Sequence, residues 1–210
     1  FVVAGHVLSG PGTGGLNLAY NLFPPASFHV ACFVFGAGYF YNAKHEASPL
    51  AFLKKRAVRL LVPLYAINAL YGLWVLVSRA FGFSFGQDPT LFNLLLDPLF
   101  GGHAFLWDLS MWFVAPLFFT QGVDFGLRLL VRAGQSKRKE LALIVVYLAC
   151  GLLTTTLCGH DGFEEYSSHP LVLVGRVGFF LPCYAFGRIY RVFLAEYDTA
   201  PNWLYFGVVI

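Results

Sequence analysis

The stretch Lys54-Lys55-Arg56-Ala57-Val58-Arg59-Leu60-Leu61-Val62-Pro63-Leu64-Tyr65-Ala66-Ile67-Asn68-Ala69-Leu70-Tyr71-Gly72-Leu73-Trp74-Val75-Leu76-Val77-Ser78 decides the fold class. Four cations open it, and no charge follows between Leu60 and Ser78. An uncharged apolar run of about 20 residues spans a bilayer, and a basic flank stays on its cytoplasmic side. The pattern recurs along the chain, which predicts membrane segments at Phe1–Ser9 (the end of a helix), Ala26–Tyr41, Ala57–Ser78, Ala104–Phe125, Glu140–Cys158 and Pro170–Phe186. A seventh segment starts near Asn202. Pro63, Pro116 and Pro182 fall inside three of these segments, where neighbouring helices tolerate a kink.

Composition agrees with this reading. Of 210 residues, 58% are hydrophobic and 12% charged, against about 25% charged in soluble domains. Such a chain has too little polar surface to cover a soluble globule. The expected fold is all-α, a polytopic transmembrane helix bundle in which residues 1–210 form one domain. The apolar runs Phe1–Leu8 and Trp203–Ile210 read as helices cut short, so the domain is expected to be truncated at both ends. Cys32, Cys150, Cys158 and Cys183 lack paired spacing and predict neither a disulfide frame nor a metal knuckle.

Basic residues give the orientation. Lys44, Lys54, Lys55, Arg56 and Arg59 mark one connection as cytoplasmic, Arg128 to Lys139 a second, and Arg188 with Arg191 a third. The intervening connections then face outward. Within one of them, from Arg79 to His103, Asp88-Pro89 reads as a helix start and Asp97-Pro98 as a stop, which predicts a short interfacial helix carrying Leu94, Leu95 and Leu96.

Polar groups at membrane depth are functional candidates by default. His6 closes the first segment, and a neutral imidazole there suits general base work or a plain hydrogen bond to a neighbouring loop. Arg56 and Arg59, three residues apart, fit either a phosphate clamp at the membrane mouth or simple anchoring. Asp108 and Arg176 lie at matching depth in their segments, which predicts an ion pair bordering an acceptor-side pocket, with His29 as a further candidate. No two histidines have helical metal-binding spacing, so no metal site is expected. Gly36-Ala37-Gly38 reads as a close helix contact.

Taken together, four stretches resemble the bacterial acyltransferase family 3: Gly5-His6; Phe28-His29-Val30 leading into Phe35-Gly36-Ala37-Gly38-Tyr39-Phe40; Phe52 through Pro63; and Met111-Trp112-Phe113-Val114-Ala115-Pro116-Leu117-Phe118. The family's members are membrane enzymes of about ten helices that O-acylate sugars and envelope polymers. The resemblance implies an O-acyltransferase of the bacterial cytoplasmic membrane. Its donor substrate is acetyl-CoA or another acyl-CoA, its acceptor an extracytoplasmic sugar or glycan, and it has no bound cofactor and no nucleic-acid partner. It also implies that His6 ends the family's Arg, ten residues, His motif, and that Arg56 and Arg59 handle the donor. Ala37 stands where the family usually carries serine, so that hydroxyl is missing here. A transporter or flippase for a lipid-linked glycan is the alternative, and a structural membrane protein a third reading.

Overall fold

The computed structural model describes residues 25–41, 48–100, 105, 110–133, 136–158 and 170–197. Every regular element among them is helical: α1 (Pro25–Tyr39), α2 (Pro49–Ala80), α3 (Leu91–Leu95), α4 (Asp97–Phe100), α5 (Val114–Val131), α6 (Lys137–Cys158) and α7 (Pro170–Ile189). A 3-10 turn at Ser110–Phe113 leads into α5, and a π-helical turn at Tyr190–Leu194 extends α7. Three stretches, Pro49–Ala80, Met111–Val131 and Pro170–Leu194, are long and apolar enough to cross a membrane. The predicted first and seventh segments lie outside the described residues.

The basic residues converge as the charge rule requires. The C-terminal ends of α1, α5 and α7 and the N-terminal ends of α2 and α6 share one end of the bundle. There Phe52 stacks on Phe125 at 4.4 Å, and Arg191 donates to the carbonyls of Tyr39 and Tyr41, each at 3.1 Å. Farther along, Leu64 of α2 packs with Val114 and Ala115 of α5, so the two helices run antiparallel over about 17 Å. α2 begins eight residues before the predicted Ala57. Ser48-Pro49 supplies the start, and the lysines and arginines that follow are good helix formers. Its 32 residues are about 48 Å long, more than the hydrocarbon thickness of about 30 Å, so its basic start projects beyond the apolar layer.

α7 is the central helix, packed against α1, α5 and α6. Two glycine contacts bring the backbones together. A Cβ on Gly38 would overlap the Tyr184 carbonyl, and one on Gly187 would overlap that of Phe35, so α1 and α7 touch main chain to main chain. On the other side, Gly178 faces Thr154 of α6 and Gly151 faces Gly178 and Pro182. Small residues allow such approach where lipid offers no hydrophobic driving force. Of the predicted Gly36-Ala37-Gly38 contact, Gly38 is the point of closest approach, since a Cβ on Gly36 would meet open space.

The stretch after α2 corrects the sequence reading. Thr90, not Asp88, caps α3 by accepting from the Asn93 N–H at 3.2 Å, while Asp88 pairs with Arg79. α3 ends at Leu95, directly before Asp97-Pro98 as expected, and the same pair also opens α4, because a proline without an N–H suits a first turn as well as a stop. Nor does the element lie at the outer end of α2. The Tyr65 hydroxyl donates to Leu95 O at 2.7 Å, and Asn68 Nδ2 donates to Asn93 O and Leu94 O at 3.1 and 3.0 Å. Tyr65 and Asn68 are about 18–22 Å below Ala80 along the helix. The chain therefore re-enters the bundle, and irregular backbone at such depth is tolerated only when covered by protein or lining a cavity.

Candidate functional site

The basic end carries a buried ionic lattice built from three helices. α5 presents Thr120, Gln121, Asp124 and Arg128 on one face, the spacing of a single stripe. Glu140 lies in the first turn of α6 and Arg188 in the last turn of α7. Each charge complements its helix dipole there. Arg128 Nη2 and Nε donate to Glu140 Oε1 at 2.8 and 3.2 Å, and Arg188 Nη1 donates to Glu140 Oε2. Arg188 Nη2 lies 3.4 Å from Asp124 Oδ1, which also accepts from the Tyr147 hydroxyl at 3.1 Å. All four charged side chains are at most 7% exposed. Two arginines face two carboxylates, so the lattice is neutral and ties α5, α6 and α7 together.

An aromatic layer covers it. The Arg128 guanidinium stands 5.0 Å from the Tyr41 ring, and Tyr41 meets Phe52 and Tyr184 edge-on at 6.3 and 6.4 Å. Phe52 is buried between Tyr41 and Phe125, and the Arg56 guanidinium lies 5.3 Å from the Phe52 ring. Arg56 is thus half-buried on a rigid aromatic surface, whereas Arg59 is exposed. Among the described residues neither makes an ion pair. Arg56 stands at the rim beside exposed Lys54 and Lys55. Cation–π contact restricts the guanidinium without occupying its N–H fork.

The other predicted residues are placed as follows. His6 and Asp108 lie outside the described residues. His29 belongs to α1 by its backbone. Arg176 is buried in α7 about 18 Å from Arg188, its guanidinium 4.7 Å from the Trp112 ring and Trp112 6.0 Å from Phe180. Arg176 therefore belongs to a layer distant from Arg56 and Arg59.

Sequence reasoning missed Asp124, Glu140 and the partnership of Arg128 and Arg188, treating these arginines only as orientation markers. A signal was present in the four-residue spacing of Thr120, Asp124 and Arg128 on an apolar helix, matched by Arg176, Phe180, Tyr184 and Arg188 on α7. The described residues contain no group of three or more metal-ligating side chains.

The arrangement offers a cationic rim over an aromatic floor, on a bundle braced by buried charge. No curated protein and no solved structure matches the chain. A family model described as an acyltransferase domain matches residues 1–210, across the same segments that build the bundle and its basic rim, and the chain accordingly belongs to acyltransferase family 3, a family of membrane acyltransferases.

Proposed function

We propose that this domain moves an acetyl or similar acyl group from cytosolic acyl-CoA to a hydroxyl of an extracytoplasmic sugar or glycan, in a bacterial cytoplasmic membrane. The observation that carries the reading is Arg56, seated on Phe52 at the basic end with no ion-pair partner among the described residues, while the deeper arginines are paired with Asp124 and Glu140. Guanidinium forks bind phosphate oxygens in pairs, and a nucleotide-bearing donor presents several. Arg59, Lys54 and Lys55 add positive potential around it. In this reading α1 and α6 also cross the membrane, with the segments at either end of the chain completing six or seven.

Chemically, the acceptor oxygen forms a bond to the acyl carbon as the carbon–sulfur bond of the thioester breaks. His6 takes the hydroxyl proton and passes it to the departing thiolate, so that ester and free CoA are the products. Asp108 and Arg176 border the acceptor side, with His29 nearby, and no bound cofactor is needed. The test is incorporation of radiolabelled acetyl from acetyl-CoA into envelope glycans by cells with and without the full-length gene. Label dependent on the gene is expected; equal label in both strains would refute the reading. In the same assay His6→Ala is expected to lower transfer by about 100- to 10,000-fold, the usual range for loss of a general base, with membrane insertion unchanged. Wild-type product from that variant would remove His6 from the chemistry.

A further inference from the structure

The turn between α5 and α6 carries three cations in positions that local structure does not favour. Arg132 closes α5 in the left-handed region at φ 52°, where glycine is the usual residue. Arg138 and Lys139 stand in the first turn of α6, where the helix dipole disfavours positive charge. Lys139 Nζ donates to Val131 O at 2.9 Å and the Ser136 N–H to Ala133 O at 3.0 Å, so the two helix ends are drawn together and the cations share one turn. All three are exposed, and none makes an ion pair among the described residues. Asp124 and Glu140, the described acidic side chains at this end, are buried in the lattice with Arg128 and Arg188.

Beyond these cations one side of α6 is apolar and open. Arg138, Leu141, Val145, Leu148 and Leu152 follow one another at intervals of three and four residues and so form a single stripe. Its four apolar side chains are 45–72% exposed. From Arg138 to Leu148 the helix rises about 15 Å, half the hydrocarbon thickness of about 30 Å, so the stripe runs the depth of one leaflet from its arginine. A phospholipid has this form, a phosphate at the surface and chains one leaflet deep. Any phospholipid would cover the leucines. The cations favour one of net negative charge, because each Lys or Arg at the membrane surface raises affinity for anionic lipid by about fivefold.

We infer that Arg132, Arg138 and Lys139 hold the headgroup of an anionic phospholipid of the cytoplasmic leaflet, with an acyl chain along Leu141, Val145 and Leu148. This rests on the reading above that α6 crosses the membrane with its basic end in the cytosol. The residues belong to the α5–α6 turn, whereas those proposed for the donor belong to α2. By pairing with this turn the lipid steadies the end of α6 that delivers Glu140 to the lattice.

The test uses a cysteine-free full-length protein with Val145→Cys labelled by bimane, in phosphatidylcholine vesicles titrated with brominated phosphatidylglycerol or brominated phosphatidylcholine. Bromine quenches the fluorophore on contact. Brominated phosphatidylglycerol is expected to quench at a mole fraction at least about fivefold lower than brominated phosphatidylcholine. Arg132→Gln, Arg138→Gln and Lys139→Gln together are expected to abolish that preference. Arg138→Gln alone, which breaks no hydrogen bond among the described residues, is expected to reduce it at least about twofold even if the triple variant fails to fold. Lys54→Gln with Lys55→Gln removes two other cations from the same end of the bundle and is expected to leave the preference unchanged. Equal quenching by the two lipids would overturn the inference and leave the membrane placement of α6 intact, whereas quenching by neither would overturn both. Loss of the preference in the Lys54 and Lys55 variant would also overturn it, as general attraction to the leaflet, and so would relief of phosphatidylglycerol quenching by saturating acetyl-CoA, which would give these cations to the donor.

Discussion

Arg56 and Arg59 have the same side-chain chemistry and opposite environments. Three residues of helix bring both to one side, but only Arg56 reaches the Phe52 ring, which is itself held by Phe125 and Tyr41. Replacing each by lysine keeps the charge and removes the planar fork. The expected outcome is a rise of about tenfold in apparent KM for acetyl-CoA in Arg56→Lys, equivalent to about 1.4 kcal/mol, and less than about threefold in Arg59→Lys. Equal and negligible changes would reduce the pair to orientation markers. Glu140 presents the contrasting case of a charge whose role is internal. Glu140→Gln leaves Arg128 and Arg188 buried without full compensation, and breaking such a lattice from one side costs about 3–5 kcal/mol. An SDS unfolding titration of the purified protein should show that loss, and a stability within about 1 kcal/mol of wild type would contradict the lattice.

Among the elements, the crossing of α1 and α7 depends on two positions that admit no side chain. Gly187→Leu would drive carbons into the Phe35 carbonyl, and overpacking of backbone against backbone costs at least about 1–3 kcal/mol. Gly36→Leu, on the same stretch of α1 but facing open space, should fold as wild type does. Circular dichroism melts of the two variants provide the comparison, and a stable Gly187→Leu protein would mean that α1 packs elsewhere. The re-entrant α3–α4 element shows the limit of local signals. Thr90 and Asp88 are both acceptable caps by residue type, and Asp-Pro can open a helix or close one. The contacts of Asn68 and Tyr65 with the backbone of residues 93–95 are long-range, and nothing in the local sequence announces them.

For the molecule as a whole, the basic end is set apart, cationic at its rim with a buried lattice of paired charges behind it. The orientation is open to direct measurement. In a background with Cys32, Cys150, Cys158 and Cys183 replaced, Lys55→Cys and Asp88→Cys occupy exposed positions at opposite ends of α2. A membrane-impermeant maleimide added to intact cells should label the cysteine at 88 and leave the one at 55 unlabelled until the membrane is opened. The reverse pattern would invert the topology and with it the donor side.

Much of this was legible in residue order. Uncharged runs of membrane length, and cations grouped at alternate connections, dictate helices and their sense, because every backbone polar group in hydrocarbon must be paired within its own segment and Lys and Arg remain at one surface. Predicted boundaries at Ala26–Tyr41, Glu140–Cys158 and Pro170 accordingly fall within a few residues of α1, α6 and the start of α7. The functional environments were not legible. Whether Arg128 is an anchor or a lattice member depends on Glu140 and Arg188, twelve and sixty residues away in sequence. Whether Arg56 is held or free depends on Phe52, Tyr41 and Phe125 from three parts of the chain. Hydropathy and charge act residue by residue and so are determined by the sequence alone, whereas burial, pairing and the re-entry of Asp97 depend on which helices meet, which only tertiary packing decides.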